Sequence, residues 1–249
     1  MIICQVINGK YMLKTRALLF LILLGAGVAT VQAYSLNISD LMGGAAAYKG
    51  LGDHPDSEWY TPFSINESSD ENLTLIKVPS VQQSTEITCG SAAALDNLLY
   101  YGSTGDEMSM AEEMGTVPVY GANVVQMAKL FTDRGWTVHS STTDGDGDLA
   151  MLQNNLKVGV PTLVAWADWG GHWMVVTGYD TMGTDTVVDD VIIFADPYDV
   201  TDHNQDGYYR FPAARFYSLW FVPHWYPDKD AVRPWLTATP SSPISQNRG

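Results

Sequence analysis

Two hydrophobic periods divide the chain. Up to Val158 the apolar positions recur mostly at helical spacing; after Gly159 they run in short unbroken stretches. The first half predicts a helix over Ser91 to Tyr101, stopped by Gly102, and a short one over Met108 to Met114. Gly121 opens a third over Ala122 to Arg134, whose apolar face is Val124, Val125, Met127, Leu130 and Phe131. A fourth spans Leu149 to Val158, with Asp148 as its N-cap. Strand patterns flank them at Leu73 to Val78 and Trp136 to Val138. In the second half Val160 to Trp166, His172 to Tyr179, Val187 to Ala195 and Tyr208 to Phe211 read as strands, and Ala213 to Trp220 as a short helix or a further strand. Helices followed by antiparallel strands make an α+β class. Tyr34 to Ser69 is polar and without period, and the tail from Thr237 has too little apolar content to pack.

Composition adds a processing expectation. Lys10, Lys14 and Arg16 precede an apolar run, Ala17 to Val28, and Val31-Gln32-Ala33 offers small residues where a signal peptidase cuts. The run is short of the roughly 20 residues a membrane span needs. The expectation is export with cleavage after Ala33, and membrane attachment only if the N-terminal segment stays uncleaved. Sequons at Asn37, Asn66 and Asn72 are compatible with an exterior location. Lys plus Arg total 13 against 28 Asp plus Glu, a net charge of -15, which repels phosphate backbones and argues against nucleic acid as a partner.

Removal of the signal would take Cys4 with it and leave Cys89 unpaired. Structural cysteines outside the cytoplasm usually come in pairs, so Cys89 is either a small buried core residue or a thiol with a task. Its setting favours the task. Cys89 stands at the start of the first helix, followed by Gly90-Ser91-Ala92-Ala93-Ala94. The unpaired N–H groups and dipole of a helix start favour a thiolate. Such a nucleophile needs a base and donors for the developing oxyanion.

Of five histidines, His54, His139, His172, His203 and His224, His172 stands out. It follows Gly170-Gly171 and begins an apolar strand, which would hold its ring rigidly. A hairpin turning near Gly183 would set Ala195 and Asp196 beside it, and Pro197 would end the strand at that carboxylate. An Asp so placed can orient an imidazole. The oxyanion donors would be the Cys89 N–H and an amide from Gln82 or Gln83, which the residues themselves do not separate.

Taken in order, Gln83, then Cys89-Gly90, a small-residue helix ending at Tyr101-Gly102, Gly171-His172-Trp173, Gly178-Tyr179 and Asp196-Pro197 resemble the papain-like cysteine peptidases. The branch they resemble is cysteine peptidase family 39, the bacteriocin-processing, double-glycine peptidases, over roughly Val78 to Trp220. The resemblance implies a papain-like fold, N-terminal helices packed on a C-terminal antiparallel sheet. It implies Cys89 as nucleophile, His172 as base, Asp196 as orienting group and Gln83 as oxyanion donor, acting on a peptide or protein substrate. Members of that branch head ATP-driven exporters and work on the cytoplasmic side; this chain reads instead as an exported form without the transporter, secreted or at the cell surface. Its own Leu41-Met42-Gly43-Gly44-Ala45 is similar to a double-glycine leader, so cleavage of itself after Gly44 is a further expectation. The expected organisation is a signal peptide or anchor over 1–33, a polar linker or propeptide-like segment over 34–75, the peptidase domain over 76–236 and a disordered tail over 237–249.

Thiol hydrolysis requires no cofactor. Asp202-x-Asn204-x-Asp206-Gly207 does match the first half of a calcium loop, with Ala213 where the loop's bidentate Glu would stand. Two readings remain there, a structural calcium ion and a solvated acidic turn. Asp144, Asp146 and Asp148 make a second alternating set. Trp166, Trp169 and Trp173 cluster around the histidine approach, as groove lining or as core. The rival functions are a catalytically silent surface binding module of the same fold and a thiol amidase or transferase acting on non-protein amides.

Overall fold

The computed structural model describes residues 64–118, 120–200, 205–225, 228 and 231–242. In chain order the elements are β1 (Leu73–Leu75), α1 (Cys89–Tyr100), α2 (Glu107–Glu113), α3 (Val124–Asp133), β2 (Trp136–Ser140), the short α4 (Ser141–Asp144) and α5 (Leu149–Lys157). There follow β3 (Thr162–Trp166), β4 (His172–Asp180), β5 (Val191–Ala195), β6 (Tyr208–Pro212), α6 (Ala213–Leu219) and β7 (Trp235–Pro240).

Local chemistry sets the helix ends. Asn123 and Gln126 close a reciprocal capping box at the start of α3, with bonds of 2.8 and 2.9 Å. Asp106 and Asp148 accept from Ser109 N at 2.9 Å and Met151 N at 2.7 Å, capping α2 and α5. Beyond α1, Gly102 adopts φ +78°, the left-handed turn that glycine takes without a Cβ penalty.

The strands form one antiparallel sheet in the order β2-β7-β3-β4-β5-β6. Along one edge of β4, β3 pairs with residues His172 to Val176 and β1 with Gly178 to Asp180, so the two short strands share that edge end to end. Alternate strand residues feed two cores. Leu163, Ala165, Trp173, Val175, Leu236 and Ala238 meet Leu95 and Leu98 of α1 and Met127, Leu130 and Phe131 of α3. Val164, Trp166, Met174, Val176, Ile192 and Phe194 meet Leu152 and Leu156 of α5 and Phe216 of α6 on the opposite face. The unbroken apolar runs follow, because strands covered on both faces have no polar side.

The expected α+β layout of helices on an antiparallel sheet is present, with α5 and α6 covering the face away from α1. Three expectations change. The expected disordered tail begins inside β7, where Thr237 and Ala238 are buried and pair with His139 and Val138. Thr237-Ala238-Thr239 is weakly apolar, but its pairing with β2 holds it in the sheet, and Asn97 Nδ2 donates to the Ala238 carbonyl at 3.0 Å. The linker's expected end at 75 likewise falls within the sheet, because β1 pairs with β4. The strand expected from Val187 begins only at Val191; Val187 and Val188 are 52% and 73% exposed in a loop.

The signal segment, Gly43-Gly44, Asn37 and most of the linker lie outside the described residues. Among the described residues no helix is long and apolar enough to cross a membrane.

Candidate active site

Cys89 is the first residue of α1, is buried, and is a free thiol. The N-cap, Thr88, makes no side-chain bond to the helix; its hydroxyl is engaged with Thr85 instead, at 2.9 Å between the two oxygens. The first turn of α1 therefore keeps its backbone donors for something else. The small residues after Cys89 have a steric reason. A Cβ on Gly90 would stand 3.3 Å from Ala122, Met127 and Trp173, tighter than ordinary contact, so the glycine lets this turn press closely against Met127 of α3 and Trp173 of the sheet.

His172 opens β4 and is buried, with Nε2 2.6 Å from Asp196 Oδ1. A carboxylate accepts, so Nε2 carries the proton and Nδ1 is left for the Cys89 thiol, which hydrogen-bonds the same imidazole. Burial alone would lower the imidazole pKa. The charge and hydrogen bond of Asp196, with the contribution of Cys89, outweigh burial and raise it to about 10. The His172–Asp196 contact forms in a register different from the predicted one. Val175 pairs with Ala195, so Asp196 falls opposite Met174 and reaches His172 diagonally on the same face. A loop from Thr181 to Asp190 and a bulge between Val176 and Gly178 account for the offset.

The two glutamines separate by geometry. Gln83 lines the cleft with Cys89 and His172. Its Nε2 donates to the Thr85 carbonyl at 2.7 Å, which fixes the nitrogen end of the amide and leaves a second N–H on that atom. Its Oε1 is buried without a partner among the described residues. Gln82 turns to the Asp196 loop: Nε2 donates to the Asp196 carbonyl at 2.8 Å, and Oε1 accepts from Asp199 N at 3.3 Å. Gln83 N donates to the Pro197 carbonyl at 2.9 Å, so the glutamine pair straps the Asp196-Pro197 turn.

Cys89, His172 and Gln83 open onto one cleft of about 450 Å³. Trp173 lies at its base, buried, with Nε1 donating to the Ala122 carbonyl at 2.7 Å. Trp169, exposed at φ +53°, stands on the rim with its ring 5.5 Å from that of Tyr198. Trp166 belongs to the core on the other face. Tyr198, Glu86 and His224, none of which sequence reasoning singled out, also line the cleft. Tyr198 donates its hydroxyl to Glu86 at 2.9 Å. His139 lies away from the cleft beside Asp144, and His54 and His203 lie outside the described residues.

Asp202 and Asn204 also lie outside the described residues; Asp206 Oδ1 accepts from Tyr208 N at 2.9 Å. The second acidic set has three separate duties. Asp144 accepts from Ser140 N at 3.0 Å, Asp146 pairs with Arg233 at 2.6 Å, and Asp148 caps α5. Among the described residues no group of three His, Cys, Asp or Glu is placed to hold a metal ion.

A helix with a cysteine on its first residue, laid against an antiparallel sheet that presents a histidine and a carboxylate, is the papain-like peptidase fold. The model of the Peptidase_C39 like family matches residues 75–222, and the chain belongs to that family. No curated protein matches the chain. A protein from Bacillus anthracis assigned as a C39-like peptidase superposes with a TM-score of 0.51 at 16% identity, over 70% of this chain and 100% of its own. The peptidase domain of Streptococcus ComA, a bifunctional ABC transporter of a quorum-sensing pathway, is 18% identical with a TM-score of 0.46, over 64% of this chain and 96% of its own. A double-glycine-motif protease from an AMS/PCAT transporter, solved with its leader peptide, is 17% identical with a TM-score of 0.44, over 67% and 94%.

Proposed function

We propose that the chain is a cysteine peptidase that hydrolyses peptide bonds through Cys89, His172 and Asp196, with Gln83 as oxyanion donor. The observation that carries this reading is a single imidazole bonded to Asp196 on one side and to the Cys89 thiol on the other, in a cleft that also holds Gln83. Cys89 passes its proton to His172 Nδ1, and Sγ supplies the electron pair that forms a bond to the scissile carbonyl carbon while the carbonyl π electrons move onto oxygen. The Cys89 N–H and the second Nε2–H of Gln83 receive that oxyanion. Collapse expels the amine, which takes a proton from His172, and leaves a thioester. Water, giving a proton to His172, then attacks the thioester and releases the acid and the thiol. Asp196 keeps Nε2 protonated and Nδ1 facing sulfur throughout.

The site of action in this proposal is outside the cytoplasm, on the strength of the basic and apolar pattern up to Ala33. Fractionation of the host, with N-terminal sequencing of the mature chain, tests that part separately. The chemistry is tested by a peptide library exposed to wild type and Cys89→Ala. Cleavage by the first and not the second is expected. If neither cleaves while Cys89 in the folded protein resists iodoacetamide, the thiol is inert and the reading is wrong.

A further inference from the structure

We infer that Glu86 sets a substrate preference of the cleft: its carboxylate binds the cationic side chain of a Lys or Arg residue of the bound peptide. The inference rests on the proposed peptidase function and adds to it a side chain that the substrate carries. Glu86 lies in the turn between the cleft glutamine, Gln83, and the nucleophile, Cys89. It is exposed to solvent and lines the cleft with both.

The carboxylate is held in place at one oxygen. Tyr198, a buried residue, donates its hydroxyl to Glu86 Oε2 at 2.9 Å. Tyr198 is itself fixed, because its N–H donates to Asp196 Oδ1 at 2.8 Å. Glu86 is thus tied through one phenol to the carboxylate that orients His172. An ionised carboxylate accepts up to about four hydrogen bonds. Oε1 makes none among the described residues, so the anchor leaves that oxygen for a ligand.

Charge and shape say what the ligand is. Among the described residues lining the cleft Glu86 is the one carboxylate, and no Lys or Arg accompanies it. No cation of the described residues pairs with it elsewhere. Its charge therefore stands without a counterion at the mouth of the site, on a chain of net charge -15. A cationic side chain is drawn in by both, and an anionic one is repelled. Trp169 supplies the second wall. It is 63% exposed, and its ring lies 5.5 Å from that of Tyr198, beside the anchor of Glu86. An exposed indole packs the alkyl stem of Lys or Arg and attracts the charged head. A small neutral side chain uses neither the indole nor the carboxylate.

The test uses peptides acetylated and amidated at their ends, so that a terminal amine cannot supply the cation. One position at a time carries Arg or its neutral isostere citrulline. For each peptide kcat/KM is measured with wild type and with Glu86→Gln, which keeps an acceptor for Tyr198 and removes the charge. At one position Arg is expected to exceed citrulline about fivefold in wild type, the size of an exposed ion pair, and to equal it in Glu86→Gln. That preference should shrink in 1 M salt. Each enzyme supplies its own Arg-to-citrulline ratio, so a general loss of activity in the variant does not enter. Equal ratios in the two enzymes at every position overturn the inference. Binding of the same peptides to Cys89→Ala, with and without Glu86→Gln, reads the preference apart from turnover. A Glu86-dependent preference in binding, with no Cys89-dependent cleavage by wild type, supports the cation site and refutes the peptidase reading. Cys89-dependent cleavage with no Glu86-dependent preference in either assay overturns the cation site and leaves the peptidase reading standing. Neither cleavage nor preference overturns both.

Discussion

Gln82 Nε2 donates to the carbonyl of Asp196 at 2.8 Å, so the neighbour of the cleft glutamine holds the loop of the cleft carboxylate. Gln82 and Gln83 are neighbours in the irregular segment between β1 and α1, and their side chains go to different partners, so the two amides have two duties. Gln83→Ala should lower kcat about 10²–10³-fold, the size of one lost oxyanion donor, with the alkylation rate of Cys89 unchanged. Gln82→Ala should instead cost about 1–3 kcal/mol of stability, by leaving the Asp196 loop under-bonded. Denaturant midpoints and single-turnover rates on both variants separate the effects. Equal loss of kcat with no loss of stability in Gln82→Ala would count against its strapping role.

The His172–Asp196 pair sets a pH dependence. The folded imidazole is raised to about 10 from an ordinary 6.5, so its stabilising contribution is complete below 6.5 and is lost as pH rises through about 10. The melting temperature of wild type should fall more steeply above pH 8 than that of His172→Gln. On the proposed chemistry the rate should also decline on the alkaline side with a midpoint near 10, as the proton for the leaving amine is lost. Asp196→Asn removes the charge that raises the imidazole, so its alkaline limb should move to lower pH.

Asp96 of α1 is a buried carboxyl outside the cleft. Oδ1 accepts from Val81 N at 2.6 Å, and Oδ2 has no partner among the described residues. Burial pushes its pKa well above the usual carboxylate range, against the Val81 bond that lowers it and with the charges of Asp196 and Glu107 adding to the rise. A raised acid contributes stability below its unfolded value near 3.8 and loses it as pH climbs toward the folded value. Asp96→Asn keeps the Val81 bond without a charge. It should raise the melting temperature at pH 8 and leave it nearly unchanged at pH 4; an equal effect at both would sink the assignment.

Gly147 faces the second core, where an added Cβ would stand 2.3 Å from Trp220 Cη2 and 2.9 Å from Trp235 Cδ1. Gly147→Ala should therefore cost about 1–3 kcal/mol through displaced indoles. Gly145→Ala has no atom within 4 Å of its Cβ but sits at φ +91°, so its smaller penalty would come from the backbone alone. Thermal unfolding of both variants tests the ranking.

Truncation before Thr237 should unfold the chain. It removes most of β7, the strand that joins β2 to β3, and with it the Ala238 carbonyl that accepts from Asn97 Nδ2 at 3.0 Å. Loss of the far-ultraviolet circular dichroism signal in the truncated chain is expected; a folded, cooperative product would show that β2 and β7 are dispensable.

The order of periods along the chain determined the helices, most strands and the α+β class, because burial of one helical face or of both strand faces writes itself into spacing. It determined Cys89 at a helix start, because glycine and alanine are what a close approach to a sheet requires. It also placed Asp196 near His172, although the register was off by two residues: an even offset in a hairpin keeps both side chains on one face. What only the tertiary structure decided depends on partners distant in sequence. Thr237 and Ala238 become strand because β2 pairs with them and Asn97 of α1 donates to the Ala238 carbonyl. Gln82 and Gln83 part because the Asp196 loop is above one and the cleft beside the other. His224 enters the cleft because Gly171 makes room beneath it, a contact that no local pattern encodes.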